Sequence, residues 1–493
     1  MKGSKNFFAN FSFLSFGLFV CFLAPYFILF KYFSPKFTIS TEEIFFALKN
    51  STWQAGTAAF IVTVLSIPMS QGLMALGSKT RSWVEKLLML PQIFPALYSI
   101  LIIFSLVNPF PMGTYGIILV FCVINLGFAT LLTLWSTENK MGRMALISEV
   151  YGIGRLRFLS RIYFPALKAD LWVNFFIIFI FCFSSFSVPL MVGGGRGLNL
   201  EVLIYEKIFV EHNWNMAVTL GFLQTLLIFF LSVLIFREQR RPKEVFVKGR
   251  YLVSFTGLVF VLVYLLLYIG GYLRGVTTSL AQVPFLFMYI WDLAAATSFT
   301  LKTVLLFLLM NGVLLILWLL DFIQRGRFNS AVHMISVSTV VTGFAFYLIF
   351  PVSADFDQTK IIFGMSVLLF PALFKLFLQK PIENLSHQIN IAKALGISKR
   401  VIISEIIFRQ LKTRLLAWAS FLVLWLSSDY AIVKSLGIQT QTLGMISAGF
   451  LSSYRLALSY LISFYILVFW VLVMVLVYTA VKVIYVVYKK FAL

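Results

Sequence analysis

The sequence predicts an all-α polytopic membrane protein, with about twelve transmembrane helices in two pseudo-symmetric six-helix halves. Three observations carry that reading: the composition, the spacing of the apolar runs, and a loop that occurs twice. The chain has 493 residues, 60% hydrophobic and 12% charged, and Phe alone occurs 55 times. A soluble domain is roughly 45–50% apolar and 25% charged, and its outer shell must stay polar. A chain this apolar cannot keep its surface out of water, so its solvent is lipid. The same composition excludes disorder, collagen, coiled coil and a secreted disulfide scaffold.

A spanning helix needs about 20 mostly apolar residues. Runs of this kind lie near 9–30, 53–76, 87–108, 114–136, 171–192 and 214–236, then near 251–273, 293–320, 331–352, 361–379, 413–435 and 456–488. The first follows Lys2 and Lys5 and reads as an uncleaved span. It is too long for the apolar region of a signal peptide, and no small-x-small cleavage site follows it.

Net charge is +22, from 40 Lys and Arg against 18 Asp and Glu. The basic residues fall in alternate loops: Lys79, Arg81 and Lys86, the stretch 140–168, Arg237–Arg250, Arg325 and Arg327, the stretch 380–414, and Lys489 with Lys490. The other loops hold scattered ones such as Lys36, Lys49, Arg196, Lys207, Arg274 and Arg455. Basic residues favour the cytoplasmic side, so both termini are expected there and the span count is even. This explains the charge without nucleic acid. Cys21, Cys122 and Cys182 sit inside apolar runs and read as small buried hydrophobes. His212, His333 and His387 are far apart, so no metal motif is visible.

Two of the cytoplasmic loops are longer than the rest and resemble each other. One reads Gly152-Ile-Gly-Arg-Leu-Arg-Phe-Leu-Ser-Arg-Ile-Tyr-Phe-Pro165, the other Gly396-Ile-Ser-Lys-Arg-Val-Ile-Ile-Ser-Glu-Ile-Ile-Phe-Arg409. Gly, Ile, Ser, Ile and Phe recur in register, and Gly396 lies 244 residues after Gly152, about half the chain. Weaker echoes pair Trp53 and Thr57 with Phe299 and Thr303, and Ser184-Ser185 with Ser427-Ser428. With an even number of spans per half, the copies share one orientation and the repeat is parallel. The domains expected are therefore a first half over 1–236, a basic cytoplasmic linker over 237–250, and a second half over 251–493. The linker reads as solvated, with a lipid-headgroup anchor as the alternative.

These loops resemble the coupling loops of the membrane subunits of binding-protein-dependent ABC importers. The family pattern is Glu-Ala-Ala, three residues, Gly, nine residues, Ile-x-Leu-Pro. Gly152, Ile162 and Pro165 fall on it in the first copy, and Ala392, Gly396 and Ile406 in the second. Departures are Leu146-Ile147-Ser148 and Asn390-Ile391-Ala392 at the triplet, Phe164 and Phe408 for Leu, and Arg409 for Pro. Asn199-Leu-Glu-Val-Leu-Ile-Tyr205, Thr442-Leu443-Gly444, Ser453-Tyr454-Arg455 and Ser427-Ser-Asp-Tyr-Ala431 resemble segments of the fused permeases for thiamine and ferric iron.

The resemblance implies an inner-membrane permease of bacterial type. Two cytoplasmic ATP-binding subunits would dock on the loops, and an extracytoplasmic binding protein would deliver solute. Thiamine or a thiamine phosphate is the first expectation for that solute, ferric iron the second, a polyamine or other small solute the third. The docking set is Gly152, Ile153, Gly154, Leu156, Ile162, Pro165, Ala392, Gly396, Ile397, Ser398 and Ile406.

The loops also make physical sense without the family. A short helix along the membrane surface must show an apolar ridge to dock a soluble partner, and Ile153, Leu156 and Ser160, with Ile397, Val401 and Ile402, are candidates. An amphipathic interfacial helix without a partner is the alternative. Gly152 and Gly396 permit a sharp turn or close backbone approach.

No engine is visible in the chain. Gly72–Thr80 is one residue out of register for a phosphate-binding loop and straddles a span end. The glycines around Gly193–Gly197 read as a flexible turn. No catalytic constellation appears, so the chain is expected to be a transport subunit without cofactor, its energy coming from ATP used by partner subunits.

The alternative is a carrier driven by an ion gradient, which needs ionisable groups near the midplane. Lys302, Lys375 and Asp429 are the candidates, and Lys302 has no assigned role. Ser184, Ser185 and Ser187, with Ser427, Ser428, Asp429 and Tyr430, occupy equivalent places in the repeat and are expected to line one central path. Hydrogen bonding of these serines to neighbouring helices is the alternative.

Overall fold

In a computed structural model of the chain, the described residues are 22–32, 41–194, 197–236, 249–326, 328 and 338–491. The expected linker lies outside them except for residues 249 and 250, as do Lys2, Lys5, Cys21 and His333. Every regular element among the described residues is helical. Lipid enforces this, because a helix satisfies its backbone N–H and C=O groups within one segment.

The first described helix, Phe22–Tyr32, precedes α1 (Thr41–Leu73), α2 (Ser78–Leu88), α3 (Ala96–Leu106), α4 (Thr114–Val150), α5 (Phe164–Phe183), α6 (Leu200–Phe209) and α7 (Trp214–Phe236). There follow α8 (Phe255–Ser279), α9 (Ile290–Arg325), α10 (Thr339–Ile349), α11 (Ala354–Phe374), α12 (Ser386–Ala394), α13 (Arg409–Ser428), α14 (Leu443–Ser452) and α15 (Leu456–Phe491). Seven stretches among the described residues are long and apolar enough to cross a membrane. One of them, Phe255–Arg325, has 71 residues. At 1.5 Å per residue it is far longer than a core of about 30 Å, and it contains two long helices, α8 and α9.

Several expected spans have different bounds. The run 87–108 is a bent pair, Ser78–Ile93 and Ala96–Leu106, turned by 100°. Pro95 stands at the bend and has no N–H to continue a helix. Within the run 331–352 the described part is α10, which starts after its cap Ser338 and ends at Ile349, before Pro351. The runs 171–192 and 413–435 stop at Phe183 and Ser428. At both ends serine hydroxyls turn back onto helix carbonyls: Ser184 to Ile180, Ser427 to Val423 and Ser428 to Leu424. The same bonds occur inside uninterrupted helices, at Thr130 and Thr137 of α4, so they accompany these ends without setting them. Hydropathy alone does not see them.

Elements recur along the chain. α3 and α10 have 11 residues each, α5 and α13 have 20, and α6 and α14 have 10. α6 is capped by the Asn199 side chain, α14 by that of Thr442. The Leu200 N–H then donates to the Ser51 hydroxyl at 2.8 Å, and the Leu443 N–H to that of Thr300 at 3.3 Å. Ser51 therefore corresponds to Thr300, which sets the α1–α9 equivalence one helical turn away from the Trp53–Phe299 echo.

Helices distant in sequence pack on one another. α8 lies against α1 and α3, and its crossing with α1 is a backbone contact. A Cβ on Gly257 would sit 1.8 Å from the Pro68 carbonyl oxygen, so only glycine fits. Reciprocally, the Phe22 ring packs on Trp318 of α9 at 5.9 Å and Phe370 of α11 at 6.2 Å. One apolar cluster joins first-half residues such as Val188, Leu203 and Ile204 to Val340, Phe344, Tyr430 and Ala448. The centre of the molecule is thus a seam built from both halves of the sequence.

Candidate functional site

Both duplicated loops open on the same backbone device. The Ile153 N–H donates to the Ser148 carbonyl at 2.9 Å and the Gly152 N–H to Glu149 at 3.1 Å. In the second copy Ile397 donates to Ala392 at 3.0 Å and Gly396 to Lys393 at 3.1 Å. These are two Schellman caps, which require a left-handed residue after the helix. Gly152 (φ +65°) and Gly396 (φ +72°) supply it, and no atom lies within 4 Å of where a Cβ would stand. Conformation, and not crowding, selects glycine here.

Gly154 and Ser398 then start the short turns Arg155–Phe158 and Lys399–Val401. Each runs into a π-helical stretch, Leu159–Tyr163 or Ile402–Phe408, and on into α5 or α13. Leu156 stands 82% exposed at the tip of the first loop, with Ser160 exposed and Ile153 half-buried. Val401, Ile397 and Leu395 are exposed in the second. Ile402, expected on the ridge, is instead fully buried and anchors the loop, as Phe158 does in the first copy. Ile162 and Ile406 are half-buried, and Ala392 is buried.

Pro165 lies in the first turn of α5, where its missing N–H is not needed. Arg409, at the start of α13, is exposed and pairs with Glu405 at 3.6 Å. Proline is optional at such a position, so its loss leaves the second loop's backbone path intact. The first loop is further tied down by Arg155, which donates to the Val253 carbonyl at 3.1 Å, and by Glu149, which accepts from the Tyr251 N–H at 2.9 Å.

The two serine segments meet at the seam. The Tyr430 hydroxyl donates to the Ser187 carbonyl at 2.6 Å, joining the breaks after α13 and α5. Ser184, Ser185, Ser187 and Asp429 are half-buried, whereas Ser427, Ser428 and Tyr430 are buried. Asn199 holds the Ser185 carbonyl at 2.8 Å, and the Asp429 carboxylate accepts from the Ile432 N–H at 2.8 Å, capping the turn Ala431–Ser435. Further polar contacts cross the seam nearby. Trp425 Nε1 donates to the Ile93 carbonyl at 2.7 Å, and the Tyr98 hydroxyl to the Ser463 carbonyl at 3.0 Å.

Lys302 faces away from this region. It lies two residues after Thr300, as Trp53 lies two after Ser51, and both side chains are exposed on the outer surface. That placement suits a group reaching the headgroup level and not one lining a path. On the first half an apolar groove between α1 and α5, lined by Trp53, Gly56, Phe60, Phe164, Trp172 and Phe175, also opens outward. In a spanning chain this face meets lipid.

One cluster at the seam was not singled out residue by residue from sequence. Glu201, inside the Asn199–Tyr205 segment, is fully buried and accepts from Gln224 Nε2 at 2.7 Å and the Ser338 hydroxyl at 2.8 Å. The available signal was a lone carboxylate inside an apolar run. Among the described residues, no three His, Cys, Asp or Glu side chains come together as metal ligands.

No family model matches the chain. It is similar to the thiamine transport system permease protein ThiP of Brucella abortus, with 27% identity over 211 residues, which is 39% of this chain and 39% of that protein. The Escherichia coli ThiP is 25% identical over 195 residues, 36% of each chain. The Haemophilus influenzae ThiP is 27% identical over 191 residues, 34% of this chain and 35% of the relative. The match thus spans well under half the length of these curated relatives. Over that part, this multi-pass helical membrane chain resembles the permeases of thiamine transport systems.

Proposed function

We propose that the chain is the permease of an ABC importer that carries thiamine or a phosphorylated thiamine inward. Its twelve spans form two halves, 1–236 and 251–493, joined by a cytoplasmic basic linker over 237–250. Both termini face the cytoplasm of a bacterial cell, with the chain in the inner membrane. Two ATP-binding subunits dock on the loops at Gly152 and Gly396, and an extracytoplasmic binding protein presents the solute. The halves rock as the ATPases close and open, and the path runs by Ser184, Ser185 and Ser187 and by Ser427, Ser428, Asp429 and Tyr430. Ferric iron is the next solute in order.

The observation that carries this reading is the duplicated loop, with matching Schellman caps and with Leu156 and Val401 exposed after them. Two copies of one exposed apolar turn on one chain suit two copies of one soluble partner. Similarity to thiamine transport permeases supports the choice of solute. The permease need not bind solute tightly, because the binding protein sets specificity. The test is to capture that protein on the purified permease and identify its ligand by mass spectrometry. Thiamine or a thiamine phosphate is expected; any unrelated ligand refutes the solute assignment.

A further inference from the structure

The Glu201 cluster belongs neither to the loops nor to the serine path. Its carboxylate comes from α6, in the first half of the sequence, and reaches the start of α10, in the second. One oxygen accepts from Gln224 of α7 at 2.7 Å, the other from the Ser338 hydroxyl at 2.8 Å, with the Val340 N–H also directed at it. Ser338 in turn caps α10 by accepting from the Val341 N–H at 3.2 Å. α10 has only 11 residues and begins inside the protein, where its first N–H groups lack helical partners. A carboxylate there meets the positive end of the helix dipole. The same seam continues through rings: Tyr205 lies 4.9 Å from Phe209, which meets Tyr347 of α10 edge-on at 5.4 Å.

The repeat contains its own control. The register that matches Leu200 with Leu443 and Ala96 with Thr339 puts Gly444 in the place of Glu201 and Pro95 in that of Ser338. Ala448 and Ser452 replace Tyr205 and Phe209. The places of Glu201, Ser338, Tyr205 and Phe209 carry no carboxylate, no hydroxyl cap and no ring, while Phe104 stands in that of Tyr347, so building this fold does not itself require the carboxylate and its cap. A buried charge is costly to keep, and its removal from a partnered site leaves donors unsatisfied.

We propose that Glu201 is a positioning residue that latches α10 to α6 and holds this seam closed, so that transport requires the latch to release. The second clause rests on the rocking-halves reading above; the first does not. The test uses full-length permease with Cys21, Cys122 and Cys182 replaced by alanine and one cysteine pair added. Phe209→Cys with Tyr347→Cys reports the seam. Ser66→Cys with Thr133→Cys, whose native hydroxyls lie 2.7 Å apart within the first half, reports the fold.

Disulfide formation is followed in purified protein without partners or solute. Glu201→Ala should slow the seam pair about tenfold, equal to roughly 1.4 kcal/mol. Glu201→Asp should restore part of the rate, and the control pair should not change. An unchanged seam pair, or equal slowing of both pairs, overturns the latch. In the second arm, oxidising the seam pair should abolish uptake and a reductant should restore it. Full uptake with the seam locked overturns the requirement for release. If the unlocked permease shows no ATP-driven uptake at all, the transport reading falls while the crosslinking result still decides the latch.

Discussion

Valine at Gly152 or Gly396 puts a β-branched side chain on a left-handed backbone (φ +65° or +72°). That conformation costs an L-residue about 1–2 kcal/mol, and no collision adds to it because the surrounding space is empty. Against a typical stability of about 5–15 kcal/mol, the loss leaves the chain inserted and folded. The strain is relieved locally by loosening the Schellman bonds, which swings Leu156 or Val401 off its place. Because 1.4 kcal/mol is a factor of ten, ATPase binding should weaken about 5- to 30-fold. The assay compares solute uptake and the co-purifying ATPase in membranes of matched expression. Asparagine, which tolerates the left-handed region, should retain more activity than valine. Gly77→Ala is the control, since Gly77 lies outside the docking set, has ordinary φ (−68°) and equally open surroundings. Wild-type uptake with bound ATPase in both valine variants refutes the reasoning, as does equal damage from Gly77→Ala.

Three further outcomes follow from the seam. Asp429→Asn should keep its cap on the turn Ala431–Ser435, because asparagine caps as well as aspartate, and should lower uptake of a cationic solute with thermal stability unchanged; wild-type uptake excludes a role for the charge. Tyr430→Phe removes the hydrogen bond to Ser187 and should lower stability by about 0.5–1.5 kcal/mol, read as a lower Tm of the purified protein. Gly257→Leu forces α8 off α1 and should abolish monodisperse protein in size-exclusion chromatography, whereas Gly270→Leu, with open space around it, should not.

The loops were legible because a glycine that must be left-handed, with apolar residues at fixed offsets behind it, leaves a mark in the sequence at Gly152 and Gly396. The all-α membrane class was legible for a similarly local reason, the length of the apolar runs. The breaks at Ser184 and Ser428 were hidden because hydropathy averages over a window, and the stretches on both sides of each break are mostly apolar. Ile402 was misplaced because one apolar residue in a short amphipathic turn looks the same whether it anchors or protrudes. Contacts distant in sequence left no pattern: Glu201 meets Ser338 across 137 residues, and the Gly72–Gly257 crossing is a fit of backbones.

The most direct measurement places the purified permease in liposomes with its ATPase subunits inside and the solute-binding protein outside, and follows labelled thiamine. Uptake should require ATP, the binding protein and intact loops at Gly152 and Gly396, and should ignore imposed proton or sodium gradients. Uptake that follows an ion gradient without ATP or either partner would contradict the importer and establish the gradient-driven carrier instead.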